Sequence, residues 1–366
     1  MAIAPRYLET LSRLLFHNYD ADFQRPAISD SAASDLAYMS GLNAQERADF
    51  LEAANKHHVL VRALQVLEQA AGEAGNQAIV EWCRTSLACE RRRIDHAVTF
   101  LANICSTLQA NGCEVVVIKS LDHWPDLGSD LDLYTTADAE AVASVMAREL
   151  HAKQEPRSWG DRLANKWNFQ IPGLPELVEI HVRYLGQTGE HAALGRRVLQ
   201  RSQERTLGGH SFRVAAPEER ILISTLQRIY RHFYFRLCDM CDIAALLKRK
   251  EVSFPDLQQS ADLAGIWPGV ATFLCLVREY VSRFGTRLAL PSILLRSAYL
   301  TDMSVHLRGD FLRVPMLPAT GLYSSQLFAA GRNRDLRALF RLPLLPPLAL
   351  TALLAYRVTG SDKGIW

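Results

Sequence analysis

The sequence lacks any hydrophobic run long enough to cross a bilayer. Its most apolar uncharged stretch, Leu342 to Tyr356, falls short of the ~20 residues a spanning helix needs. Pro343, Pro346 and Pro347 also break its first half. The expectation is a buried terminal helix, with peripheral membrane contact through 342–356 left open. A charge excess is also missing. Lys and Arg number 41 against 39 Asp and Glu, leaving +2. That balance gives no strong nucleic-acid signal, although a local basic patch can hide inside a neutral total. A zinc framework is absent too. Cys238 and Cys241 form a lone CxxC with no second pair, and no His pair, at zinc spacing. The cysteine count, seven, is odd, and most sit in apolar, helix-like surroundings. They read as reduced core residues of a cytoplasmic protein. Near the start, Arg6, Glu9 and Arg13 interrupt any apolar run, so no signal peptide is expected.

What is present suits a folded protein of two or three domains: 366 residues, 49% of them apolar. Residues 1–111 read as a helical region. Leu60, Leu64 and Leu67, widened by Val61, repeat at helical spacing, and Leu87, Arg91, Ile94, Val98 and Leu101 continue the pattern. Asn111-Gly112 is a stop signal. The period then changes. Cys113 to Ile118 is a short valine-rich run, as in a buried strand, and Asp130 to Tyr134 alternates acidic and apolar residues. A helix is expected over 137–151, strands over 165–171 and 177–182, and an edge strand at 212–214. Pro217, followed by Glu218 and Glu219, opens a predicted helix to about Lys250, and the remainder reads as mostly helical. The fold class is therefore α+β. A small mixed sheet at 112–216 is flanked by helical regions at 1–111 and 217–366.

Asp130 and Asp132 stand two apart on a strand, so both point to one face. Two carboxylates that close repel, and desolvating them together is costly. A hard divalent cation between them would resolve both problems, because magnesium takes carboxylate and phosphate oxygens. Two solvent-facing strand-end aspartates are the plainer alternative. Lys119 either offers charge to a triphosphate or ends its strand in solvent. Lys166 and Asn168 share a face that either lines a cleft or faces outward. Arg228, Arg231, His232 and Arg236, interleaved with Tyr230, Phe233, Tyr234 and Phe235, suit nucleic-acid or nucleotide contact or a packed helix with solvated arginines. Asp239 and Asp242 would then be their exposed salt-bridge partners.

Ile118-Lys119-Ser120, followed by Ser129-Asp130-Leu131-Asp132-Leu133, resembles the signature of the nucleotidyltransferase superfamily that includes DNA polymerase beta and the minimal nucleotidyltransferases. More narrowly it resembles an uncharacterised bacterial nucleotidyltransferase family. Glu179-Ile180-His181, the helical stretch Ala53 to Ala110 and the segment Leu237 to Ile243 are similar to that family's further features, so the resemblance covers about 45–250. Two departures stand out: Ser120 replaces a usual glycine, and the loop to Asp130 is short and lacks an arginine before the acids. The resemblance implies Asp130, Asp132 and Glu179 as catalytic and metal-binding acids, with magnesium, or manganese in its place. It implies Lys119, Ser120, Ser129, Lys166 and His181 on the nucleotide, ATP or another triphosphate. The expected reaction moves a nucleoside monophosphate to an acceptor hydroxyl of a small molecule, peptide or protein, with pyrophosphate released. The alternative is a catalytically inactive nucleotide-binding or regulatory protein on the same fold.

Overall fold

A computed structural model describes residues 5–17, 31–232, 234–299, 306–308, 311–313 and 316–359. Helices α1 (Pro5–His17), α2 (Ser31–Ser40), α3 (Ala44–Lys56), α4 (Leu60–Glu73) and α5 (Gln77–Ala110) come first. Local chemistry sets their ends. Asn43 and Glu46 form a reciprocal capping box on α3, and the Asn76 side chain accepts the Ile79 N–H at the start of α5. The Leu60, Val61, Leu64 and Leu67 stripe of α4 is buried. Leu87, Ile94, Val98 and Leu101 of α5 are buried as well, whereas Arg91 turns outward. Arg91 therefore lies off the apolar stripe it was expected to continue.

A mixed seven-stranded sheet follows, in the order β3-β4-β5-β2-β1-β7-β6. Its strands are β1 (Val115–Val117), β2 (Asp130–Thr135), β3 (Lys153–Gln154), β4 (Lys166–Gln170), β5 (Leu177–Val182), β6 (Gln203–Leu207) and β7 (His210–Val214). Helices α6 (Ala139–Glu149), α7 (Trp159–Ala164) and α8 (Ala192–Gln200) lie between them in the chain. The central strands β1, β2 and β5 are almost wholly buried: β1 is all valine, while β2 and β5 alternate apolar residues with the acids and histidine of one face. Edge strands β3 and β6 are short and largely exposed, so they left no apolar signal in the sequence.

Past residue 216 the expected long helix divides. Helix α9 (Pro217–Gln227) runs into a π turn, Arg228–His232, then a two-residue strand β8 (Tyr234–Phe235), and α10 (Leu237–Lys248) restarts. Buried Arg228 reaches forward to Asp239, 2.8 Å away, and draws the chain into this bend. Phe233 lies outside the described residues. The rest comprises α11 (Phe254–Leu263), α12 (Trp267–Ser282), α13 (Ser292–Ser297), α14 (Met316–Arg332), α15 (Leu336–Arg341) and α16 (Leu345–Thr359). A second sheet, unexpected in a region read as helical, pairs β8 with β10 (Phe311–Arg313) and β9 (His306–Arg308). Its strands are too short to show a period of two.

One continuous apolar core runs from α1 through the sheet into α14. All seven cysteines are free, six buried and Cys89 exposed. Helix α16 is not the buried helix expected, since Leu350, Leu354 and Val358 are exposed. Among the described residues no helix is long and apolar enough to cross a membrane.

Candidate active site

Strands β2 and β5 run parallel, with Asp132 opposite Glu179 and Tyr134 opposite His181. Side chains on one face of a strand recur every second residue, so Asp130, Asp132, Glu179 and His181 crowd one patch. Ligand atoms of Asp132, Glu179 and His181 all lie within 4.8 Å of one another. Asp130 is one step along β2, at the rim of the same cleft.

The turn after β1 completes the floor. Lys119 takes φ 61°, a conformation rarely adopted outside glycine, and a 3-10 turn over Ser120–His123 follows. That backbone aims the Lys119 ammonium between the acids. It contacts Asp132 and stands 3.5 Å from Glu179. Ser120 ties the turn to β2, its Oγ accepting the Asp132 N–H at 2.7 Å and donating to the Asp130 carbonyl at 3.3 Å. Glycine could make neither bond, so Ser120 acts as a strut rather than a simple departure from a pattern. Lys166 lies inward, 2.7 Å from Glu179 and 3.1 Å from Asp161, the residue that completes a capping box with Ser158. His181 Nε2 sits 2.8 Å from Glu179 Oε1. Ser129 is exposed, with Oγ 3.5 Å from Asp130 Oδ1. Asn168 shares the Lys166 face of β4 and pairs with Glu179 in register, yet is not part of the cleft lining.

Across a cleft of about 220 Å³ stands a basic wall. Arg228, Arg231 and His232 come from the π turn, and Tyr234 and Arg236 from the residues after it. These arginines are not merely solvated on a packed helix, since Arg228 is only 2% exposed. Nor are their acidic neighbours exposed partners. Asp239 is buried against Arg228, while Asp242 turns away to Arg62 and His123. His58 and His123 also line the cleft and left no sequence signal, since neither belongs to a periodic run. Gly128 lets His58 approach, because a Cβ there would sit 3.0 Å from its ring.

Charge is unevenly compensated. The Asp132 charge and burial push the Asp130 carboxyl up to about 6. Burial would raise Glu179 as well, but Lys119, Lys166 and the His181 N–H outweigh it and hold this carboxyl well below the ordinary range. Burial works against charge on Lys119, yet Asp132, Glu179 and Asp130 keep its ammonium above its usual value. Burial and the neighbouring Arg231 and Arg228 charges press His232 toward its neutral form.

The donor set is rich in carboxylate oxygens, and an ammonium already stands where a cation would sit. The cluster close enough to hold an ion is Asp132, Glu179 and His181, with Asp130 on the same face of β2, and its carboxylate oxygens are of the type a hard divalent ion takes. A second cluster, His123, Cys238 and Asp242, has ligand atoms equally close, but its polar atoms already serve one another. His123 Nδ1 is 2.5 Å from Asp242, and Arg62 bridges Asp242 at 2.9 Å to Asp126 at 2.8 Å. That network pins the loop after Ser120 between α4 and α10.

The family model described as an uncharacterised nucleotidyltransferase matches residues 43–282. No curated protein matches the chain.

Proposed function

Because the chain belongs to this nucleotidyltransferase family, we propose that it transfers a nucleoside monophosphate from a nucleoside triphosphate to an acceptor hydroxyl, releasing pyrophosphate. The observation that carries the proposal is the pairing of Asp132 with Glu179 across parallel strands, with Asp130 beside them, facing Arg231 and Arg236 over one cleft. Acids on one wall and bases on the other suit a polyphosphate that brings its own divalent counter-ion. Such an ion, magnesium or manganese, would neutralise phosphate charge and acidify the acceptor hydroxyl.

This chain's own residues supply the rest. Arg231 and Arg236 bind phosphate oxygens. Ser120 fixes the distance between the turn and Asp132. Lys119, once its carboxylates have another cation, has the phosphates as its alternative partner. Lys166 and His181 hold the Glu179 carboxylate in one orientation, so that it faces the incoming hydroxyl. The acceptor oxygen attacks the α-phosphorus in line. A new P–O bond forms, the bond to pyrophosphate breaks, and the hydroxyl proton leaves toward the Glu179 side.

The second reading is a protein that binds nucleotide without turnover. It is favoured by one feature, the Lys119 ammonium already compensating Asp132 and Glu179. A single experiment separates the two readings: each of the four α-labelled triphosphates with magnesium and host extract, for wild type and Asp132→Asn. Label moved by wild type and not by the variant supports transfer. Tight nucleotide binding with no label moved supports the second reading.

A further inference from the structure

A smaller pocket, ≈ 50 Å³, opens beside the cleft and shares Lys119, Gln227 and Arg231 with it, and His181, the partner of Glu179, lies on its wall. It contains neither Asp130 nor Ser129, and lies instead toward the end of β5 and the loop after it. Its own lining is apolar: Ile118, Leu185, Ile223 and Leu226. Into this lining faces Gln187, only 8% exposed, whose Oε1 is buried without a hydrogen-bond partner. His181 Nδ1 is likewise buried and unpartnered. A buried amide oxygen left unpaired costs ~1–3 kcal/mol, so its persistence calls for an explanation.

Looseness of the loop is not that explanation, because the loop is clamped on every side. Leu185 and His191 exchange backbone hydrogen bonds of 3.1 and 3.0 Å. Gly186 takes φ 93°, and a Cβ there would overlap the Glu190 carboxyl. Glu190 accepts the Thr188 N–H at 2.8 Å and its hydroxyl at 3.1 Å. From α15, Arg341 donates to the Thr188 carbonyl at 3.0 Å and Arg337 to the Gly189 carbonyl at 2.7 Å. Gln187 is thus held in place on the pocket wall, with its Oε1 buried and unpaired.

We propose that this pocket is the acceptor subsite, and that Gln187 selects the acceptor; the inference rests on the transferase reading above. The unmet atoms define the ligand class. His181 Nε2 is engaged by the Glu179 carboxylate and its Nδ1 is unpartnered, while Gln187 Oε1 is an unmet acceptor. The ligand must bring a donor for Gln187 and a hydroxyl, able to donate or accept, for His181 on a slender apolar body. A small vicinal diol or polyol with a hydrocarbon portion meets that description. One hydroxyl meets Gln187, and the other, beside His181, is the one that reaches the nucleotide.

The test uses 1,2-hexanediol as a stand-in acceptor for the full chain, with magnesium and each α-labelled triphosphate. Label appears either in the diol ester or, by attack of water, in free nucleoside monophosphate, and the ratio of the two reports the pocket. Nucleotide affinity is measured alongside with a non-hydrolysable α,β-methylene analogue. Gln187→Met keeps length and removes the acceptor atom, while Ile223→Phe fills the space. The expected result for both variants is a fall of at least ~10-fold in the ester-to-water ratio, the worth of about one buried hydrogen bond. Nucleotide affinity should stay unchanged, which also certifies that the variants fold. An unchanged ratio in both variants overturns the proposal. So does a loss of nucleotide affinity in step with the ratio, since the pocket would then hold part of the nucleotide. If wild type forms neither product from any triphosphate, the transferase reading fails and the subsite falls with it.

Discussion

Two buried clusters of aspartates and cations lie within one chain, and they are compensated differently. Beneath the loop after Ser120, every carboxylate oxygen of Asp126 and Asp242 has a donor. Val61 N–H lies 2.6 Å from Asp126, Arg62 serves both residues, and His123 closes the set. In the cleft, Lys119 and Lys166 compensate Asp132 and Glu179, while Asp130 keeps only a distant serine hydroxyl at 3.5 Å. Full pairing does not set the charge alone: burial opposes charge on Asp242, and Arg62 and His123 outweigh it and hold this carboxyl below its usual value, whereas burial pushes fully paired Asp126 up to about 6. Asp130 is pushed up to about 6. The two clusters resemble each other in composition and in ligand-atom spacing. What separates them is Asp130, an acid without a close donor, against a loop cluster in which every carboxylate oxygen has one.

The comparison is sharpened first by turnover. Asp132→Asn should lower label transfer by ~1,000-fold or more, within the range for groups that act as a unit at a reacting centre. Asp242→Asn, in a fully folded sample, should not approach that loss. The reverse ordering would show that the clusters have been assigned the wrong way round. Glu179→Gln should slow transfer at least ~100-fold while leaving nucleotide affinity intact.

Stability breaks the comparison from the other side. Asp242→Asn strands Arg62 and His123 in the interior and should cost about 3–5 kcal/mol in denaturant unfolding. Asp130→Asn should do the opposite in metal-free protein at neutral pH. With its carboxyl at about 6 rather than the ordinary 3.8, the folded state holds that proton more tightly than the unfolded chain does. Asp130 therefore costs nothing below about pH 4, and its destabilisation grows as pH rises through about 6, reaching at most ~3 kcal/mol. In chelator, wild type should lose stability across that window, and Asp130→Asn should lose less. Parallel pH profiles for the two proteins would remove Asp130 from the strained set.

The smallest effect expected is at the strut. Ser120→Ala leaves the Asp132 N–H without its partner and should cost ~1–2 kcal/mol, with a modest loss of transfer. Ser120→Gly should be at least as costly, since it also loosens the turn.

Much of this site was legible in sequence because its central acids lie on strands with a clean period of two. The spacing of Asp130 and Asp132 and that of Glu179 and His181 each fix a shared face before any contact is known. The parallel register that puts Asp132 beside Glu179 was not readable, because pairing between strands some fifty residues apart leaves no local mark. The basic wall was misjudged for a related reason. Arg236 and Asp239 look like i, i+3 neighbours on one continuous helix, but Asp239 pairs instead with buried Arg228, and that pairing helps break the helix into a π turn, a short strand and a new helix. Gln187 was overlooked altogether. A lone glutamine in a glycine-rich loop carries no pattern, and only its burial and its missing partner single it out.

The most direct measurement is calorimetric titration of metal-free protein with the α,β-methylene triphosphate, with and without magnesium, for wild type, Asp132→Asn and Asp242→Asn. Tight binding to wild type is expected only when magnesium is present. Magnesium-dependent binding should be lost in Asp132→Asn and kept in folded Asp242→Asn. Magnesium-dependent binding that survives in Asp132→Asn would contradict the assignment of the cleft as the site where nucleotide and metal meet.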